Sequence, residues 1–222
     1  FEIAEGLYKE ILKVNPNHFE SVFYLGALLV QTKNFDKAKQ LLQKAIQINP
    51  HFAAAYNNLG ITFMELGEDK KAMSHFQKAI QIKPDFENAH YNIGVTFDKL
   101  SEFQKAVGCY EKAIQINPNY AAAYINLGNS SKELGKYKKT IDCYKKAIEI
   151  QPNFVAAHNN LGIIFNELGE HKKAKSCFQK AIQINPNYAA AHNNLGPVFS
   201  NLGHAQKAIS CYEKAIQINP NY

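Results

Sequence analysis

The chain has 222 residues, 46% hydrophobic and 20% charged, an ordinary composition for one large domain or two small ones. No apolar run approaches the ~18 residues a membrane-spanning helix needs, and the first twenty residues hold acidic side chains and no apolar leader segment. The net charge is +6 and all 25 basic residues are lysine; without arginine, the usual bidentate reader of phosphate and guanine, specific nucleic-acid binding is not expected.

Prolines stand at 16, 50, 84, 118, 152, 186 and 220, always 34 apart, and only Pro197 is out of step. A fixed period of this size marks an array of small structural units. Residues 1–18 read as the second half of a truncated repeat. Six full repeats follow at 19–52, 53–86, 87–120, 121–154, 155–188 and 189–222, together one solenoid domain. Positions below are counted 1 to 34 within each repeat.

Within a repeat the first predicted element is a helix, with apolar side chains at positions 4, 7, 8 and 11. Position 7 is always Leu or Ile, from Leu25 to Leu195, and position 8 is always Gly, from Gly26 to Gly196. A turn follows, where Gly67 and Gly135 suit a helix C-cap. The second predicted helix carries Ala at position 20 (Thr140 excepted), a large residue at 24 and Ala at 27. Large residues at 7 and 24 fill the space between the two helices, and small ones at 8, 20 and 27 let the backbones approach. The proline closes the second helix and opens the next repeat. The fold class is therefore all-α, a stack of helix-turn-helix hairpins.

The pattern resembles the tetratricopeptide repeat (TPR) family over the whole chain. Repeat 121–154 carries it most fully, with Tyr124, Leu127-Gly128, Gly135, Tyr137, Tyr144, Ala147 and Pro152. The resemblance implies a right-handed superhelix whose first helices line a concave groove and whose second helices form the convex face. It also implies a protein or peptide partner and no cofactor.

Asn recurs at position 6 as Asn58, Asn92, Asn126, Asn160 and Asn194, with Tyr24 in the first repeat. Position 6 lies about 100° around the helix from position 7, so these amides can face the groove as a ladder. Packed helices are roughly 8–10 Å apart and an extended chain advances about 3.3 Å per residue. One rung would then meet a ligand about every third residue, holding its backbone through an amide that both donates and accepts. A competing role for the same Asn is hydrogen bonding between neighbouring helices. Specificity is expected from the varied groove positions, including Asn57, Tyr91 and Asn159 at position 5, Asn129 at position 9 and Lys132 at position 12. Phe23 and Tyr24 are expected to pack on a preceding helix rather than on ligand.

TPR proteins that bind chaperone tails hold a terminal carboxylate with Lys and Arg on the first helix. Positions 2, 5 and 6 carry no basic residue here. The unbroken Asn run, "INLG" at 125–128 and the "NPNY" turns resemble instead the arm of O-GlcNAc transferases. That likeness implies a substrate-recruiting arm of a larger transferase; a purely structural scaffold is the other alternative.

Cys109, Cys143, Cys177 and Cys211 all fall at position 23, a full repeat apart and beyond disulfide reach. They read as helix-packing residues in a reducing, cytoplasmic setting. His90, His158 and His192 at position 4 read as packing residues in an aromatic slot, and nothing has zinc spacing. No nucleophile elbow, phosphate loop or carboxylate pair appears, so no catalytic residue and no enzymatic activity is expected. Lysines at position 26, from Lys44 to Lys214, read as a solvated face. Pro197 is expected to kink its helix. Without an evident polar capping helix the chain reads as part of a longer protein, open to end-to-end self-association.

Overall fold

The computed structural model describes residues 2–221. Phe1 and Tyr222, the outermost residues of the assigned repeats, lie outside the described residues. Among the described residues there are thirteen α-helices and no strand. They are α1 (Glu2–Val14), α2 (Phe19–Gln31), α3 (Phe35–Ile48), α4 (Ala53–Glu65), α5 (Asp69–Ile82), α6 (Glu87–Lys99) and α7 (Phe103–Ile116), then α8 (Ala121–Glu133), α9 (Tyr137–Ile150), α10 (Val155–Glu167), α11 (His171–Ile184), α12 (Ala189–Asn201) and α13 (Ala205–Ile218). The chain divides into two compact units, Phe1–Pro118 with α1–α7 and Asn119–Tyr222 with α8–α13.

In the first unit α2 pairs with α3, α4 with α5 and α6 with α7, and α1, α3 and α5 also pack on α2, α4 and α6. The second unit repeats this with α8–α9, α10–α11 and α12–α13. Each unit is thus a short solenoid in which a hairpin that cannot bury its own apolar face buries it on its neighbour.

Position 8 explains the closeness of each hairpin. A Cβ built on Gly60 would lie 2.5 Å from the Phe76 ring, on Gly94 2.6 Å from Tyr110, on Gly128 2.5 Å from Tyr144 and on Gly162 2.7 Å from Phe178. The position-24 ring fills the volume that any larger residue at position 8 would need. Phe76, Tyr110, Tyr144 and Phe178 are fully buried, as are the Ala residues at position 27. Truncating such a ring to Ala would cost about 3–5 kcal/mol.

The first helices end in Schellman caps. Glu68 N–H donates to the Phe63 carbonyl at 2.8 Å and Gly67 N–H to that of Met64 at 3.1 Å. The turn residue is left-handed, with φ +76° at Gly67 and +70° at Gly135. Lys33 and Ser101 occupy the same position with φ +59° and +58°, where a Cβ is unfavourable.

Repeat 121–154 breaks the pattern at position 11. Its Ser131 is fully buried where the other repeats have Leu or Phe, and its Oγ has no hydrogen-bond partner. Pro197 is exposed in the middle of α12, which keeps the thirteen residues of the other first helices. Apolar side chains are open at Ile3, Leu7, Ile11 and Val14 on α1 and at Ile209, Tyr212 and Ile216 on α13.

Candidate peptide-binding groove

The position-6 residues sit on α2, α4 and α6 in the first unit and on α8, α10 and α12 in the second. Leu at position 7 and Gly at 8 turn inward to the hairpin, which leaves positions 6, 9 and 12 on the other side. Position 5 departs from the sequence expectation. Asn57 and Asn159 are 5% and 4% exposed, closed off between repeats. The helical period gives the direction of a side chain relative to its own hairpin, but not which sector the next repeat covers.

In the first unit Asn92 Nδ2 donates to Asn57 Oδ1 at 2.9 Å, across one repeat. Asn92 is itself buried. Asn58, one repeat earlier, faces Phe23 at the equivalent register and makes no side-chain hydrogen bond among the described residues. Tyr91 is half-buried, its ring 5.7 Å from that of Tyr110. Phe23 is buried against Phe52 at a ring distance of 4.8 Å, while half-exposed Tyr24 lies 6.1 Å from Tyr8.

In the second unit four amides form one directional chain. Asn194 Nδ2 donates to Asn159 Oδ1 at 3.1 Å, Asn159 Nδ2 to Asn160 Oδ1 at 3.3 Å, and Asn160 Nδ2 to Asn129 Oδ1 at 3.2 Å. Tyr144 Oη donates to the same Asn129 Oδ1 at 2.7 Å. Burial holds the Tyr144 phenol well above its usual pKa range, so it stays a donor. Tyr144 thus fills the core with its ring and reaches a side chain of the first helix with its hydroxyl. Tyr110 does the same in the first unit, donating to Asp98 at 2.6 Å. Asn126 is half-buried on α8, its backbone carbonyl accepting from Ser130 Oγ at 3.0 Å. Lys132 is paired with Glu167 at 2.8 Å.

Sequence reasoning missed two roles. His90, His158 and His192 each bond through Nε2 to the carbonyl of the preceding repeat's proline, at 3.0, 2.9 and 3.0 Å, and so tie the inter-repeat turn to the helix after it. The recurrence of His or Tyr at position 4, six residues after a proline, was the signal available. The tyrosine hydroxyl at position 24 was visible only as the alternation of Tyr and Phe there. The position-23 cysteines form no disulfide among the described residues, and burial pushes the thiols of Cys109 and Cys177 up to about 11. Among the described residues no helix is long and apolar enough to cross a membrane, and no three His, Cys, Asp or Glu side chains cluster as metal ligands.

The electrostatics of the two units differ. The first carries thirteen lysines and thirteen acidic residues, the second twelve lysines and six acidic residues. In the second unit the lysine excess lies on α9, α11 and α13, whereas α8, α10 and α12 hold one lysine, Lys132, against Glu133 and Glu167.

The tetratricopeptide repeat model matches five consecutive segments, residues 53–86, 87–120, 121–154, 155–188 and 189–222, and a second TPR model matches residues 26–67. The chain belongs to the tetratricopeptide repeat family. TPR arrays are protein-interaction scaffolds, and this chain is one of that class. Its TPR fold is shared with pilF of Pseudomonas aeruginosa (TM-score 0.83, 19% identity, 92% of this chain and 93% of that one). YrrB, described as a TPR protein with an unusual peptide-binding site, is similar over 82% of this chain and 93% of its own, with TM-score 0.67 and 24% identity. MamA from Desulfovibrio magneticus RS-1 is similar over 76% and 96%, with TM-score 0.69 and 19% identity. At these identities the likeness is one of fold. No curated protein sequence matches the chain.

Proposed function

We propose that this TPR chain binds an extended segment of another protein along the inner faces of its first helices. The observation that carries the reading is the set of first-helix amides held in fixed orientation by one another and by Tyr144. Fixed amides bind at low ordering cost, because the entropy of holding them is already met by the fold. One rung per repeat matches roughly three residues of extended chain. The described peptide site of YrrB supports a peptide as the ligand class. The chain is assigned binding rather than catalysis, and cysteines without a disulfide suit a reducing compartment.

The amides of the first helices are not equivalent. Asn57, Asn92 and Asn159 are buried and spent on contacts between repeats, whereas Asn58 and Asn129 keep unbonded N–H groups on accessible helix faces. Display of random unstructured peptides on the intact chain, followed by fluorescence anisotropy of the selected ones, tests this. Asn58→Ala should weaken binding at nearly unchanged Tm; adding Asn129→Ala should weaken it about tenfold or more, with a Tm loss corresponding to about 1–3 kcal/mol because the buried Tyr144 hydroxyl loses its acceptor. Asn159→Ala should lower Tm. Unchanged affinity in the double variant would refute the groove as the binding site.

A further inference from the structure

The chemistry left open at Asn129 is narrower than that of an ordinary amide. A carboxamide oxygen has two lone pairs. Asn129 Oδ1 accepts from Tyr144 Oη at 2.7 Å and from Asn160 Nδ2 at 3.2 Å, so both are taken. The amide cannot turn over, because its Nδ2 would then meet the donating Nδ2 of Asn160. Asn129 is exposed, and what it presents is Nδ2 with its two hydrogens. It faces the groove as a donor only.

Beside it is a cavity of about 180 Å³, lined by Asn129, Lys132, Glu133, Tyr144, Asn160 and Ile163, among others. Lys132 is neutralised by Glu167, while Glu133 has no ion-pair partner among the described residues. The local balance is therefore one uncompensated carboxylate, opposite in sign to the unit as a whole. The outer-helix lysines are screened over about 10 Å in ordinary salt, so the near carboxylate decides. Glu133 is an acceptor only, Asn129 a donor only, and Ile163 gives an apolar wall.

We propose that this cavity takes the carboxamide side chain of an Asn or Gln in the bound segment and excludes Asp and Glu. The ligand oxygen accepts from Asn129 Nδ2, its NH₂ donates to Glu133, and its methylenes lie on Ile163. A ligand carboxylate offers Glu133 no hydrogen and adds a like charge. The inference rests on the peptide-groove reading above and adds the side chain that the second unit selects.

The test uses the intact chain and fluorescent peptide pools, twelve residues long, random except for a central Gln, Asn, Glu, Asp or Leu. The Gln and Asn pools should bind at least about tenfold more tightly than the Glu and Asp pools. Asn129→Asp keeps both accepted hydrogen bonds but puts a charged acceptor where the donor was; it should weaken binding of the Gln and Asn pools at least about tenfold without letting the Glu and Asp pools bind. Glu133→Gln should restore binding of the Glu pool and is informative even if the first variant fails to fold. Equal binding of Gln and Glu pools, with no response to Glu133→Gln, would overturn the inference and leave peptide binding intact. Binding of no pool would overturn both.

Discussion

Gly128→Ala isolates the closest approach within a hairpin. The added Cβ would lie 2.5, 2.8 and 3.2 Å from three atoms of the Tyr144 ring. Comfortable carbon contacts are about 3.5–4.0 Å, so the ring must retreat by roughly 1 Å. It is fully buried and its hydroxyl is fixed to Asn129, so retreat strains the core and breaks that bond. Overpacking costs about 1–3 kcal/mol and the lost hydrogen bond about 1, while Ala gains about 1 in helix propensity. The net is a loss of about 1–3 kcal/mol, or a Tm drop of roughly 2–10 °C for a chain of this size. Two controls bracket it. Gly108→Ala, mid-helix with nothing within 4 Å of its Cβ, should gain about 1 kcal/mol from propensity. Gly26→Ala meets Leu42 at 3.0 Å, an aliphatic side chain with no hydrogen bond holding it, and should be near neutral. Calorimetry of the three variants reads the order directly. A Gly128→Ala protein as stable as Gly108→Ala would refute the packing argument at position 8.

Further changes test other local conclusions. Lys33→Gly and Ser101→Gly relieve left-handed backbone and should each raise stability by about 1 kcal/mol in urea denaturation. Ser131→Ala removes a buried hydroxyl without a partner and should raise Tm, by an amount corresponding to about 1–3 kcal/mol at most. Pro197→Ala restores a helical N–H in α12 and should stabilise by up to about 3 kcal/mol; no change in Tm would show that the helix carries no strain there. The thiols of Cys109 and Cys177 are raised from 9.0 to about 11, so folding favours their protonated form. Their contribution is fully present below pH 9 and is lost as pH rises through 11, so Cys109→Ala with Cys177→Ala should flatten the alkaline fall in Tm between those values. Alkylation of both at pH 8 should be slow.

The architecture was legible because the chain states it repeatedly. Pro every 34 residues, Gly at position 8 and Ala at 20 and 27 are size constraints that no surface position would hold in phase. The candidate site was legible only in part. The period placed Asn at position 6 away from the hairpin core, but position 5 is closed by the neighbouring repeat. The partners in that closure, such as Asn92 with Asn57 or Asn194 with Asn159, are 35 residues apart and differ from repeat to repeat. Where the earlier residue is Phe23 no such bond forms, and where it is Ile125 the amide of Asn160 turns to Asn129 instead. Those outcomes depend on pairs of side chains, which a one-repeat consensus averages away.

The Tyr144 hydroxyl gives the second unit a mechanical property as well as a chemical one. A ligand seated on Asn129 holds an amide whose other end is tied to a ring at the centre of the α8–α9 hairpin. Opening that hairpin breaks the bond that fixes the Asn129 amide and so weakens the ligand's hold. Occupancy of the groove should therefore slow amide hydrogen exchange along α9, a helix on the far side of the hairpin from the ligand, so that the outer surface of the scaffold reports whether its inner surface is filled.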